Sequence, residues 1–371
     1  MIQRFLEKSI KGKLFKGKAI ILTGARQTGK TTMLRQILGG FDDVLSLNCD
    51  EIIVREKLSS PNKSELKQII GNKKVVFIDE AQRVKNIGVT LKLIHDQFKD
   101  VQLIASGSSA LELANELNEP LTGRKWEYNL HPISWGELVE HQGYLDALSQ
   151  LEQRIIYGMY PDIINNPGEE EDLLYELTDS YLYKDLLSFK GIRKPDLLDK
   201  LVRALALQIG SEVSYNELSN LLQVDKNTIQ SYIDLLEKSF VVFKLPAFSR
   251  NVRNEISTGK KIYFYDTGVR NAVISDFAPM ELRTDKGALW ENFLISERLK
   301  RNHYNKSRAR MYFWRTTTQS EIDYIEESTK DLNAWEFKWN KKAKIKTPYA
   351  FKKAYQVTAI PITPGNVSDF L

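Results

Sequence analysis

Short apolar runs alternate with helix-period segments through the first 130 residues. "AIIL" (19–22), "VVFI" (75–78) and "DVQLIAS" (100–106) have strand length, and after the first of them Met33, Leu34, Ile37 and Leu38 fall on one helical face. Strands that alternate with helices predict a parallel α/β sheet. From Trp135 to about Lys194 the period is helical, in "WGELVEHQGYLDALSQLEQRIIYG" and "EEEDLLYELTDSYLYKDLLSF", with Gly158 and Pro161 breaking the run between them. The acids of "NNPGEEED" suit the start of the second stretch, because they complement a helix dipole. Next come "YNELSNLL", capped by Ser214, a turn at "QVD", a second helix "KNTIQSYIDLLEKS" and a strand pair from "FVVFKLPAF" onward. That is the order of a winged helix. The last hundred residues read as a helix, "GALWENFLISERLKRN", followed by three strands, "ARMYFWRTTT", "SEIDYIEES" and "LNAWEFKWN". A helix, "TPYAFKKAYQ", and a strand, "VTAIPIT", complete the chain.

Composition narrows the class. At 371 residues the chain is long enough for two or three domains, and 42% hydrophobic residues suffice for their cores. No apolar run approaches the ~18 residues of a membrane-spanning helix. The basic, amphipathic N-terminus lacks the apolar core of a signal peptide, so a cytoplasmic protein without a membrane partner is expected. A single cysteine, Cys49, excludes an intramolecular disulfide framework and a multi-cysteine metal site. Net charge is only +5, but Arg298 to Lys353 holds fifteen Lys/Arg against six Asp/Glu. Such an excess suits either a polyanion partner or a solvated surface.

The sharpest chemical signal follows the first strand. Gly24-Ala25-Arg26-Gln27-Thr28-Gly29-Lys30-Thr31, continued by Thr32, fits G-x-x-x-x-G-K-[ST] between a strand and a helix. Its glycines let backbone N–H groups curl around the phosphates of ATP at a helix N-terminus. Lys30 is expected to neutralise the β/γ-phosphates and Thr31 to bind Mg²⁺. Asp79 and Glu80 end the strand "KKVVFIDEAQ", which assigns Asp79 to the metal and Glu80 to activation of water. Ser106 or Ser108, after the third strand, is a candidate γ-phosphate sensor, with a cap for the helix "ALELANEL" as the plain alternative. Arg124 in "LTGRKWEY" is a candidate arginine finger, in cis or in trans, or the partner of a surface acid.

"GARQTGKTT", "FIDEAQ", "ASGSS", "LTGR" and "HPISWGEL", in this order, resemble a large prokaryotic family of AAA-type ATP-binding proteins that join an ATPase domain to a C-terminal domain of unknown function. "GMYPDII", "YFYDTGVRNAV", "GALWENFLISERL" and "FWRTTTQSEIDYI" extend the resemblance over nearly the whole chain. It implies an ATPase core whose catalytic glutamate follows the metal-binding aspartate. Ser106 stands where a threonine is common, which keeps the hydroxyl. A ring-like homo-oligomer is one arrangement the resemblance leaves open.

Two C-terminal readings concern partners. The N-terminal end of the second winged-helix helix offers Lys226, Asn227, Thr228 and Gln230, residue types that read bases and phosphates. Against this, residues 214–239 hold two lysines and four acids, Glu217, Asp225, Asp234 and Glu237. Lys244, Arg250, Arg253, Lys260 and Lys261 in the wing region are the available compensation, and docking of a protein partner is the other use of such a surface. The order helix, three strands, helix, strand then resembles the PD-(D/E)xK nuclease fold, with Glu291 on the helix, Asp323 on the second strand and Glu336-x-Lys338 on the third. Residues i and i+2 of a strand share a face. Glu336 would therefore join Asp323 around Mg²⁺ while Lys338 orients water or stabilises developing charge. A plain Glu336–Lys338 ion pair is the alternative. Asp266, before a turn, is expected to be a cap.

The expected organisation is α/β throughout. A P-loop AAA-type parallel-sheet ATPase domain spans 1–134, a helical lid 135–195, a winged helix 196–260 and a restriction-endonuclease-like α/β domain 261–371. The expected function is a Mg²⁺-dependent ATPase whose nucleotide cycle controls a winged helix and a nuclease-like domain acting on nucleic acid. The alternative is a nucleotide-regulated DNA-binding or scaffold switch without cleavage.

Overall fold

The computed structural model describes residues 2–108, 120–180, 194–249, 259–316, 318–329, 331–343 and 345–371. The chain forms two compact units, Met1–Ile133 with Lys238–Phe240, and Ser134–Glu237 with Val241–Leu371.

The first unit is built on five parallel strands, β1 (Ala19–Thr23), β2 (Val44–Asn48), β3 (Val75–Asp79), β4 (Gln102–Gly107) and β5 (Lys125–Asn129), in the order β2-β3-β4-β1-β5. β3 and β4 are buried along their whole length, which is why "VVFID" reads as a continuous rather than alternating apolar run. The associated helices are α1 (Phe5–Lys11), α2 (Lys30–Leu38), α3 (Ile52–Leu58), α4 (Lys63–Ile70) and α5 (Ile87–Gln97). Met33, Leu34, Ile37 and Leu38 of α2 are all buried, as their spacing predicts. Leu66 and Ile70 of α4 and Leu91 and Ile94 of α5 join Val76, Ile78 and Leu103 in one core. β4 lies between β1 and β3, so whatever follows β1 and β3 at their C-terminal ends is separated by one strand. This topology places the chemistry at the C-terminal ends of the central strands.

The second unit opens with helices α6 (Trp135–Gln142), α7 (Tyr144–Ser149), α8 (Leu151–Tyr157), α9 (Pro161–Asn165) and α10 (Glu170–Thr178). Ser134 and Glu137 close a capping box on α6. Pro161, expected as a breaker, is the first residue of α9, where its missing N–H costs nothing. Next come α11 (Pro195–Leu207), β6 (Glu212–Val213), α12 (Tyr215–Leu222), α13 (Lys226–Lys238), β7 (Val242–Pro246) and β8 (Lys260–Phe264). The strands form an antiparallel sheet ordered β6-β8-β7. Ser214 accepts from the Glu217 N–H at 3.3 Å, and Gln223 takes a left-handed conformation at the turn. α14 (Thr267–Ile274) is capped by Asp266, as the sequence suggests.

α15 (Lys286–Tyr304) precedes β9 (Arg310–Arg315), β10 (Glu321–Glu327) and β11 (Leu332–Phe337), then α16 (Tyr349–Tyr355) and β12 (Ile360–Ile362). The sheet order is β12-β11-β10-β9, antiparallel except for the β11–β12 pair. Two sequence boundaries shift. The cut at 260/261 falls inside β8, which pairs with β7 and β6 and so belongs with the preceding elements. The three segments expected after residue 135 also pack as one compact unit.

Candidate functional site: a nucleotide cradle and a carboxylate centre

In the first unit, β1 ends at Thr23 and the chain enters the glycine loop. A Cβ on Gly24 would lie 2.2 Å from the Leu130 carbonyl oxygen, and Gly29 caps α2 in a left-handed conformation, so both glycines are dictated by backbone geometry. Thr28 donates to the Ala25 carbonyl at 2.9 Å across the loop. Gln27, exposed, takes positive φ, while Arg26 is half-buried and Thr32 exposed. Lys30 turns its ammonium onto the loop, donating to the carbonyls of Gly24 at 2.9 Å and Ala25 at 2.6 Å.

Asp79 at the end of β3 accepts from the Thr31 hydroxyl at 2.9 Å, from Ser106 of β4, and from the Glu80 N–H at 3.1 Å. Thr31, Asp79 and Ser106 are thus one cluster, brought together because β4 lies between β1 and β3. A threonine hydroxyl touching a carboxylate is a hard-oxygen pair, the donor chemistry that suits Mg²⁺. Glu80 is half-buried and held in the left-handed region at φ 52°, a conformation that costs a non-glycine residue energy and that clusters at functional sites. Its carboxylate accepts from Gln82 Nε2 at 2.6 Å, and the same amide group donates to Ser108 Oγ at 2.9 Å. Ser108 therefore sits beside Glu80 and Ser106 beside Asp79. The helix proposed to follow Ser108 lies outside the described residues.

Arg124 requires a correction. β5 runs parallel to β1 with Lys125 opposite Ala19, so Arg124 stands at the start of the strand, whereas the loop leaves its far end. Five residues of strand, roughly 15 Å, separate it from the phosphate cradle. Its Nε instead bonds Asp96 at 3.0 Å. Asp96 is held below the usual carboxylate range by His95 and then Arg124. The surface-acid alternative describes this residue, and a cis finger does not.

Two residues of this site were not among the sequence candidates. Gln82 is one. Arg4 is the other: it is buried, donating to the Thr28 carbonyl at 2.7 Å and the His131 carbonyl at 2.6 Å, which fixes the back of the loop.

In the second unit, Glu291, Asp323, Glu336 and Lys338 gather from α15, β10 and β11. Glu336 ends near Lys338, whose ammonium is 3.0 Å from Glu336 Oε2 and 3.7 Å from Asp323 Oδ2. Burial works against the charge on Lys338, but Asp323 and Glu336 outweigh it and hold its pKa above the usual value. Asp323 also accepts from the Phe337 N–H at 2.7 Å, which fixes the carboxylate across the β10–β11 pair. Burial and the neighbouring Asp323 raise the pKa of Glu336. Glu291 is pushed up to about 7 chiefly by desolvation. It accepts from Lys261 Nζ at 3.0 Å and from the Tyr263 hydroxyl, both on β8. Lys261 also pairs with Glu321, two residues before Asp323. Tyr263 and Glu321 were not among the candidates, and Lys261 was expected to face a phosphate backbone and not this centre. A lysine and a tyrosine some thirty residues upstream on another sheet leave no local signal, although Glu321 had one in its i, i+2 spacing to Asp323. Among the described residues, no three His, Cys, Asp or Glu side chains are grouped so as to hold a metal ion. The donors here are a pair, Asp323 and Glu336, whose hard carboxylate chemistry fits one Mg²⁺.

Two of the basic residues expected to compensate in the wing region are engaged elsewhere. Lys244 pairs with Asp234 and, at 2.8 Å, with Glu237, and Lys261 is buried in the carboxylate centre. Thr228 bonds Asp225, which caps α13 and accepts from the Thr228 N–H at 2.9 Å. Lys226, Asn227 and Gln230 are exposed. Arg250 and Arg253 lie outside the described residues.

Comparison with known proteins agrees with the geometry of the first unit. Residues 16–139 match a family described as an AAA domain, while residues 148–280 and 286–368 match two families described as domains of unknown function. An uncharacterized protein of Haemophilus influenzae is 25% identical over 312 residues, 76% of this chain and 74% of that one. An uncharacterized protein of Mycobacterium tuberculosis is 27% identical over 325 residues, 85% of this chain and 69% of that one. Among solved structures, the Walker-type ATPase of Pyrococcus abyssi is similar in fold, with a TM-score of 0.53 at 16% identity over 74% of this chain and 96% of that one. The chain therefore carries a P-loop domain of the AAA type, a fold that supports ATP binding. Among the described residues, no helix is long and apolar enough to cross a membrane.

Proposed function

We propose that the chain is a Mg²⁺-dependent ATPase whose nucleotide cycle controls a C-terminal unit acting on nucleic acid through a nuclease-like centre. The observation that carries the ATPase is the Thr31–Asp79–Ser106 cluster beside Lys30, with Glu80 one residue away. Lys30 and the loop N–H groups bind the β/γ-phosphates. Thr31 and Asp79 would hold Mg²⁺, which would neutralise phosphate charge. Glu80, positioned by Gln82, takes a proton from the attacking water, and Ser106 or Ser108 would sense the γ-phosphate.

For the second unit, the reading rests on two element orders. Three helices with a β6-β8-β7 sheet follow winged-helix order, and α15-β9-β10-β11-α16-β12 follows nuclease-fold order. Glu291, Asp323, Glu336 and Lys338, gathered on α15 and β10–β11, support the nuclease-like assignment. Asp323 and Glu336 would hold Mg²⁺, and Lys338 would orient water or stabilise developing charge at a phosphate.

A second reading, a nucleotide-regulated scaffold without cleavage, is favoured by a specific observation. Lys244 and Lys261 are internally paired, which leaves the winged-helix segment little charge for a phosphate backbone. Incubating the chain with mixed DNA and RNA and Mg²⁺ separates the two. The first reading expects cutting that Asp323→Ala and Lys338→Ala abolish while ATP turnover persists. Absence of both cutting and salt-sensitive binding of the nucleic acid, with ATP turnover intact, would establish the second.

A further inference from the structure

The carboxylate centre contains a cation of its own. Lys261 is 1% exposed, yet its ammonium reaches Glu291 at 3.0 Å and pairs with Glu321. It arrives on β8, from the three-stranded sheet, whereas Glu291 and Glu321 belong to α15 and to the four-stranded sheet. Tyr263, two residues on and on the same strand face, adds a second donor to Glu291. A buried lysine is costly unless it is paired with opposite charge. Here two carboxylates provide the pairing, and burial is overcome so that the ammonium stays charged. Glu291 and Glu321 are consequently satisfied by protein groups, while Asp323 and Glu336 face Lys338, which is 40% exposed and able to swing away.

We propose that Lys261 is a positioning residue acting as the built-in cation of the centre. It locks Glu291 and Glu321 and so limits the centre to one divalent ion, held by Asp323 and Glu336. This rests on the nuclease-like reading of the centre. The lysine does with a fixed charge what a second metal ion does in a two-metal site, where paired ions neutralise a shared set of carboxylates. It also ties the position of Glu291 to β8, so the three-stranded sheet and the carboxylate centre move as one piece.

The test is a count of bound Mn²⁺ by calorimetry and electron paramagnetic resonance on the full, nucleotide-free chain. The wild type is expected to bind one ion more than Asp323→Asn. Lys261→Met is expected to bind one ion more than the wild type, because Glu291 loses its counter-charge while Glu321 keeps Arg315, at 3.6 Å, and Lys261→Arg to keep the wild-type count. A difference of two ions between wild type and Asp323→Asn, or an unchanged count in folded Lys261→Met, would overturn the proposal. Should Lys261→Met fail to fold, the wild-type difference still decides between one ion and two. No difference at all between wild type and Asp323→Asn would instead remove the nuclease-like reading on which the proposal rests.

Discussion

Glu80 and Gln82 are two residues apart in "FIDEAQ", and their side chains meet at 2.6 Å while Gln82 also reaches Ser108. A general base is effective only when held within hydrogen-bond reach of the water it deprotonates. Gln82→Ala is therefore expected to lower kcat about tenfold, equivalent to ~1.4 kcal/mol in the barrier, with nucleotide affinity unchanged. A matching loss of affinity would point to a structural role instead. Cys49 illustrates the opposite case, a reactive group made inert. It is fully buried, and desolvation together with Asp79, Asp50 and Glu80 pushes its thiol up to about 12. At pH 8 its thiolate fraction is then lower by roughly three orders of magnitude than that of an ordinary thiol. The folded chain should resist a thiol reagent that labels the unfolded chain at once. Rapid labelling of the native protein would show that this edge of the sheet opens.

The elements were legible to different degrees, for physical reasons. The glycine loop, the strand before it and the capped starts at Ser214 and Asp266 are local features, written in contiguous residues, and each stands where its sequence suggests. Arg124 does not take the place of a finger in cis because sequence distance does not tell at which end of a parallel strand a residue stands. Lys261 is silent in the sequence because its partners, Glu291 and Glu321, are brought to it only by packing of two sheets and a helix. Asp266 shows what a cap can become when buried. Besides the Val269 N–H of its own helix it accepts from the Met159 N–H at 2.7 Å, between α8 and α9. Removing it takes away a cap and orphans a buried donor, together about 1–3 kcal/mol. Asp266→Ala should lower the urea midpoint of the second unit accordingly, and Asp266→Asn, which keeps an acceptor, should lower it less. Equal losses in the two variants would show that both acceptor oxygens are needed, because asparagine keeps only one of them.

The chain's charge is uneven as well as small. The net +5 hides the excess between Arg298 and Lys353, while the segment around α12 and α13 is acidic and Lys244 of the following strand is paired with two of its acids. Polyanion binding by the second unit should therefore depend on the exposed lysines after β11. Replacing Lys341 and Lys342 with glutamate should weaken it, leaving ATP turnover intact. The salt dependence should flatten by about one unit of slope for each phosphate no longer neutralised. Unchanged binding would move the binding surface to Lys226, Asn227 and Gln230 at the start of α13.

The claim on which the account depends most is that Glu80 activates water against a nucleotide held by Lys30, Thr31 and Asp79. Phosphate release from Mg²⁺–ATP, measured beside equilibrium nucleotide binding for wild type, Lys30→Ala and Glu80→Gln, tests it most directly. The account predicts turnover by the wild type, no ATP binding by Lys30→Ala, and Glu80→Gln that binds ATP as tightly as wild type while its turnover falls by about two orders of magnitude or more. Wild-type turnover in Glu80→Gln would contradict it.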